Sequence, residues 1–310
     1  MIRPYSPATI RRCPVTMPLR RHQIATAFLA LALCSPVLAQ SAETPESRLV
    51  DYEPAWSPDG SQIAFISNRT GALKLWVMDT NGSNPRQITH GNDEDDAPAW
   101  APDGVTLAFV SIRDGNADLF TIRTDGSGAR RLTTTPGDDI HPQWAPDGSR
   151  ILFNSARNSR DPQQPDVYEI FSIRPDGSDL QQHSRGGIAT YASYSPDGTT
   201  FVFRRQLPDG NSEIMVRAVR GGEERNVSHD PAFDGWPAWS RDGRYIVFAR
   251  EANDTDAAIW VVNVDGTGAH PLIAGPGRNT NARWSPTADQ IVFSRRLDHQ
   301  VRLFVRPVSP

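Results

Sequence analysis

The sequence predicts an all-β protein: a six-bladed β-propeller of four-stranded antiparallel blades, closed by an N-terminal strand that completes the last blade. Three observations carry this expectation. A motif built on Pro54-Ala55-Trp56-Ser57-Pro58-Asp59-Gly60 returns in variant form around Trp100, Trp144, Tyr194, Trp239 and Trp284. The steps between these aromatics are 44, 44, 50, 45 and 45 residues, and a period of about 40–50 residues marks a propeller, solenoid or array. Every unit is made of short β-prone runs separated by turn signals, with no stretch of helical period.

In the first unit, Pro54-Ala55-Trp56 reads as a short strand and Ser57-Pro58-Asp59-Gly60 as a β-turn, with Pro where φ must be near −65° and Gly last. Ile63 to Ser67 is a second strand, apolar on both faces, and Leu73 to Met78 a third. Asp79-Thr80-Asn81-Gly82 is a hairpin turn that needs positive φ near its end. Pro85 to Thr89 is a fourth strand, and a longer polar loop leads to the next Pro-Ala-Trp. Strands apolar on both faces belong to sheets covered on each side, and radial closure removes the exposed ends of such a stack. The last unit stops after a third strand, Leu303-Phe304-Val305, while Arg48-Leu49-Val50 precedes the first Pro-Ala-Trp as Arg86-Gln87-Ile88 precedes the second. Residues 47–50 are therefore expected to supply the missing strand.

The first 39 residues contain no Asp or Glu, carry Arg20 and Arg21, run apolar from Ile24 to Leu33 and end on Val37-Leu38-Ala39. This is the layout of a cleavable secretory signal peptide (1–39, with Met17 an alternative start), and the apolar run is too short to span a bilayer. A short segment, 40–47, then leads into a propeller over 48–310. Loss of the leader removes Arg3, Arg11, Arg12, Arg20 and Arg21, so 27 basic residues face 36 acidic ones, a net charge of −9. An acidic chain whose single lysine is Lys74 has no footprint for nucleic acid. Both cysteines, Cys13 and Cys34, leave with the leader, which removes disulfides and thiolate metal sites.

The repeat Pro-x-Trp-Ser-Pro-Asp-Gly, a Phe-containing strand, then Leu-Trp-x-Met-Asp and Asp-Gly before Arg-x-Leu-Thr resembles that of the TolB propeller, matched closely at 54–89 and 98–133. The resemblance spans 48–310 and implies a periplasmic binding propeller, without the α/β domain that precedes the propeller in that family. Similar repeats occur in peptidase-associated propellers and pectin-fragment lyases, and a fold does not carry its function with it.

Strand parity places the tight Pro-Asp-Gly and Asp-Gly turns on one face and the variable loops on the other, including an insertion from Asn158 to Asp166. Sites favour irregular loops on a rigid scaffold. Five residues before each central aromatic stand Asp51, Asp95, Asp139, Ala189, Asp234 and Asn279; three before it stand Glu53, Ala97, His141, Tyr191, Trp236 and Asn281. Asp51, Glu53, Asp95, Asp139, His141, Tyr191, Asp234, Trp236 and Asn281 are thus the candidate binding residues, an acidic and partly aromatic ring at the channel mouth suited to a cation or a basic peptide. The competing reading pairs each Asp with the Arg that ends each second strand (Arg69, Arg113, Arg157, Arg205, Arg250, Arg295). No cofactor is expected, although Asp93, Asp95 and Asp96 offer oxygen ligands of the kind calcium takes. The histidines lack zinc spacing, and no Gly-x-Ser-x-Gly, His-Glu-x-x-His or phosphate-loop pattern is present, so no catalytic residue is assigned. The expected function is a monomeric periplasmic module that binds a protein or peptide partner, spans no membrane, and is linked to envelope integrity or transport of the Tol–Pal type. The alternatives are a metal-assisted lyase or hydrolase acting on a saccharide at the channel mouth, and the propeller partner of a peptidase.

Overall fold

A computed structural model describes residues 49–161, 167–253 and 255–309. The leader, the 40–47 segment and the tip of the insertion after Asp161 lie outside the described residues.

Four sheets of four antiparallel strands form. The first contains β1 (Asp51–Trp56), β2 (Gln62–Ser67), β3 (Lys74–Asp79) and β4 (Arg86–Gln87). The second contains β5 (Glu94–Trp100), β6 (Thr106–Arg113), β7 (Asn116–Arg123) and β8 (Arg130–Arg131). The third contains β9 (Asp139–Trp144), β10 (Ile151–Ser155), β11 (Glu169–Ile173) and β12 (Gln181–Gln182). The fourth contains β13 (Ala189–Tyr194), β14 (Thr200–Gln206), β15 (Ser212–Ala218) and β16 (Arg225–Asn226). The remaining strands are β17 (Phe233–Trp239), β18 (Tyr245–Glu251), β19 (Ala257–Asn263), β20 (His270–Ile273), β21 (Arg278–Trp284), β22 (Gln290–Leu297) and β23 (Gln300–Pro307). These seven make one sheet, because β19 pairs with β21 in parallel at Ala257 and Arg278. The expected six separate four-stranded blades are therefore corrected. Four such blades form, and the fifth and sixth repeats are fused.

The closing strand is corrected as well. Val50 makes a single parallel bridge to Val301, and the Leu49 carbonyl accepts from the Val301 amide at 3.3 Å and from Arg302 Nη1 at 2.9 Å. Val50 stands six residues before Trp56, as Arg278 does before Trp284 and Ile188 before Tyr194; Ile188 likewise bridges Tyr168 in parallel. It is thus the lead-in to an inner strand, touching the third strand of the preceding repeat, and not an outer fourth strand.

Fourth strands are short for a reason visible in the repeat. The hydroxyl of Thr89 accepts the Leu75 amide at 3.0 Å, and Thr133, Ser184 and Ser228 do the same for Leu119, Ile170 and Ile214. A side chain replaces the backbone acceptor, and the ladder stops after two residues. In the fifth repeat Leu272-Ile273 stands in that region, no hydroxyl intervenes, and β20 runs to four residues.

The tight turns are equally local. Gly60 at φ 71° donates its amide to Ser57 O at 2.9 Å, while Asp59 Oδ1 accepts from Ser57 Oγ at 2.6 Å and the Ser61 amide at 3.0 Å. These bonds hold the Asp59 carboxyl below its ordinary pKa. The recurring aspartates of this face are turn residues.

The second strands are buried on both faces, with Phe65, Phe153, Phe201, Phe203 and Phe248 wholly enclosed. Apolar clusters lie between neighbouring sheets: Leu75 and Val77 pack with Phe109 and Phe120, and Val202 and Ile214 with Ile246 and Phe248. The inner strands follow one another in a circle, β1 against β5, β5 against β9, β9 against β13, β13 against β17, β17 against β21, and β21 back on β1. Indole donors stitch that circle. Trp100 Nε1 reaches Ala55 O at 3.1 Å, Trp239 Nε1 reaches Ser193 O at 3.1 Å, and Trp56 Nε1 reaches Arg283 O at 3.0 Å across the junction of first and last repeats.

Candidate functional site in the central channel

Each inner strand carries one residue more than its partner. On β1 the register runs Tyr52 to Ile66 and then Ala55 to Ala64, so Glu53 and Pro54 together oppose Phe65. The same shift occurs in β5, β9, β13, β17 and β21. This is a β-bulge, where a proline without an amide does no harm to the ladder and side chains are re-aimed. The residue at the bulge takes positive φ every time: Glu53 51°, Ala97 47°, His141 53°, Tyr191 56°, Trp236 55° and Asn281 55°. Non-glycine residues in this region cost on the order of 1 kcal/mol or more and gather at functional sites.

Several of these bulges line a narrow pocket in the channel, bordered among others by Glu53, Ala97, His141, Gln143, Tyr191, Ser193 and Arg283. One side is aromatic: His141 stacks on Tyr191 at 4.0 Å between ring centroids, Tyr191 meets Trp236 at 5.6 Å, and Trp236 meets Phe233 at 5.9 Å. Opposite stand Glu53 and Arg283. Asn281 Nδ2 donates to Glu53 Oε1 at 2.6 Å, and Arg283 Nη1 donates to the Ala282 carbonyl at 3.0 Å.

Burial sets the protonation of this site. It pushes the Glu53 carboxyl up to about 7, helped by the nearby Asp96 charge and opposed by Arg283 and the Asn281 bond. Asp96 itself is pushed up to about 6, chiefly by burial. His141 is driven down to about 3 by burial, opposed by a side-chain hydrogen bond with Asn154 and reinforced by the Arg283 and Arg204 guanidiniums. The imidazole is therefore neutral near pH 7, and its Nδ1 is buried without a hydrogen-bond partner among the described residues.

Of the nine candidate residues, the structure brings together Glu53, His141, Tyr191, Trp236 and Asn281. The four aspartates lie nearer the variable loops and are each engaged by a cation: Asp51 by Arg69 at 3.0 Å, Asp139 by Arg157 at 3.1 Å, Asp234 by Arg250 at 2.8 Å, and Asp95 by Lys74 of the neighbouring sheet at 3.2 Å. Those arginines also lie over aromatic rings, Arg69 over Trp76 and Arg250 over Trp260 at 4.8 and 4.4 Å. Asp93, Asp95 and Asp96 face three different partners: Arg113 at 3.4 Å, Lys74, and the Tyr52 phenol. No three potential metal ligands are gathered among the described residues.

Arg283 was not among the candidates, yet a signal for it exists. It occupies the place just before the central aromatic, held elsewhere by Ala55, Ala99, Gln143, Ser193 and Ala238. A guanidinium amid mostly small residues marks the strand whose channel face differs from the rest.

A closed circle of antiparallel sheets around a central channel defines a β-propeller. Two family models meet it: the Tricorn protease N-terminal beta propeller domain matches residues 74–186, and the TolB beta propeller domain matches residues 181–309. The chain is a TolB-like propeller. TolB from Acinetobacter baumannii superposes with a TM-score of 0.65 at 20% identity, covering 74% of this chain and 56% of that one. A putative TolB from Agrobacterium tumefaciens gives 0.64 at 22% identity, covering 84% and 90%. An oligogalacturonate lyase from Vibrio parahaemolyticus gives 0.54 at 14% identity, covering 84% and 91%. In sequence, the TolB homolog of Protochlamydia amoebophila is 42% identical over 38 residues, 12% of this chain and 8% of that relative's length.

Proposed function

We propose that this protein is a binding propeller of the cell envelope, exported by its leader to the periplasm, that captures a segment of a protein or peptide partner in the central channel. The observation that carries this reading is the contrast between frame and lining. The bulge recurs at every inner strand, while the residue placed on it changes from Glu53 to His141, Tyr191, Trp236 and Asn281. Maintaining a repeat requires no such diversity, whereas recognition of one particular segment does. The likeness to TolB structures supports a role in the envelope.

Affinity capture from an envelope extract tests it. The native protein is expected to retain a partner that a Tyr191→Ala, Trp236→Ala double variant loses. Equal retention by both would count against the channel as the binding site. The lyase likeness and the orphaned His141 Nδ1 favour a second reading, saccharide cleavage in the same pocket. Formation of an unsaturated uronate from oligogalacturonate, abolished by His141→Ala, would establish it in place of the first.

A further inference from the structure

Buried cations in this molecule meet anions. Lys74 and Arg250, 2% and 10% exposed in their side chains, each pair with an aspartate, at 3.2 and 2.8 Å. A buried charge left without a partner is costly, by several kcal/mol for an isolated ion. Arg283 differs from them. Half-buried in the channel lining, it has no carboxylate within 4 Å among the described residues, and its guanidinium donates to the neighbouring Ala282 carbonyl. Glu53, on the same side of the pocket, is the acid that acts on it, but it spends Oε1 on Asn281 and closes no ion pair with the guanidinium. Arg204, from the fourth sheet, adds a second cation close enough to act on His141; its bonds go to the Ser212 and Thr190 hydroxyls at 2.6 and 3.3 Å and its plane lies over Phe233.

A second, independent observation points the same way. His141 Nδ1 is buried, unpartnered and part of the same lining. Whichever tautomer the neutral ring adopts, that nitrogen is a polar atom with nothing to meet, and the guanidinium has several N–H donors. Unspent guanidinium donors beside an aromatic wall describe a site for an anionic oxygen attached to an apolar body.

We propose that the captured segment presents a carboxylate to Arg283, between Glu53 and His141, with its apolar portion against Tyr191 and Trp236. This rests on the channel-capture reading above and gives that segment its chemistry. The charges facing Glu53 are Arg283 on one side and Asp96, with the Tyr52 and Tyr191 phenols, on the other. Neutralising Glu53 therefore removes one of the two carboxylates, with Asp96, that oppose an anion approaching Arg283.

The test is calorimetric titration of the full mature chain with acetyl-Phe-Glu-amide against acetyl-Phe-Gln-amide, and with acetyl-Phe bearing a free carboxyl against its amide. The first pair reports a side-chain carboxylate, the second a terminal one. In at least one pair the acid should bind about tenfold more tightly than its neutral counterpart, the worth of one charge-assisted hydrogen bond. Arg283→Met should erase that difference. Glu53→Gln, which keeps the Asn281 contact and so guards against a folding defect in the arginine variant, should tighten the acid about threefold. Equal affinity of the native protein for acid and neutral members of both pairs, with Tyr191→Ala still weakening them, overturns the carboxylate and leaves channel capture standing. Failure of all four peptides to bind overturns the proposal as well; the capture reading then stands or falls by the envelope-extract experiment.

Discussion

Thr89 shows how much one hydroxyl governs. Its Oγ1 takes the buried Leu75 amide at 3.0 Å, and equivalent hydroxyls serve three more sheets. Thr89→Val keeps the shape and orphans the amide, which costs about 1–3 kcal/mol; urea unfolding should show that loss, whereas Thr80→Val, half-buried in the Asp79–Gly82 turn, should change it less. Glu53 makes a second prediction. Its folded pKa, raised to about 7, lies above the ordinary 4.5. The fold thus favours the neutral acid, an advantage fully present below about 4.5 and lost as pH rises to about 7. Between pH 5 and pH 8 the native protein should lose on the order of 1–3 kcal/mol more stability than Glu53→Gln does. Equal losses would mean that the carboxyl is solvated. Asp96, raised to about 6, adds to the slope in the same direction in both proteins.

Elements were legible in the sequence where chemistry repeats. The Pro-Asp-Gly turns, the doubly apolar second strands around Phe65 and Phe153, and the indole at the end of most inner strands all read directly from residue type. Bulges were not, because a one-residue surplus in β1 or β9 breaks the alternation on which parity arguments depend. Position in the repeat put Asp51 and Glu53 together at the channel mouth; the structure puts Asp51 beside Arg69 and Glu53 in the channel. Nor was the fusion of the last two repeats legible, since it hangs on one parallel pair, Ala257 with Arg278. Gly277 guards that junction. At φ 86°, a Cβ there would stand 2.2 Å from the Arg296 carbonyl oxygen, backbone that has no easy way to retreat. Gly277→Ala should therefore destabilise the protein by about 2 kcal/mol or more, with amide exchange rising first in β21 and β22.

For the molecule as a whole, the circle of inner strands does two things at once. Trp56 donates to Arg283 O at 3.0 Å, joining first repeat to last, and the same residue, Arg283, aims its side chain at the pocket. Closure and recognition therefore share a strand. A rigid ring with one plain face of tight turns and one irregular face leaves the channel lining as a place where repeats differ in chemistry. The sequence also contained acidic residues whose charge is now accounted for: Asp51, Asp95, Asp139 and Asp234 are each paired with a cation.

Site-specific photocrosslinking in cells expressing the protein tests the channel most directly. A benzophenone amino acid at Tyr191, in the pocket, is expected to capture a discrete partner band, and the same group at Val105, 40% exposed on the tight-turn face, is expected to capture none. Capture from Val105 with silence at Tyr191 would contradict the account and move the binding surface to the opposite face of the propeller.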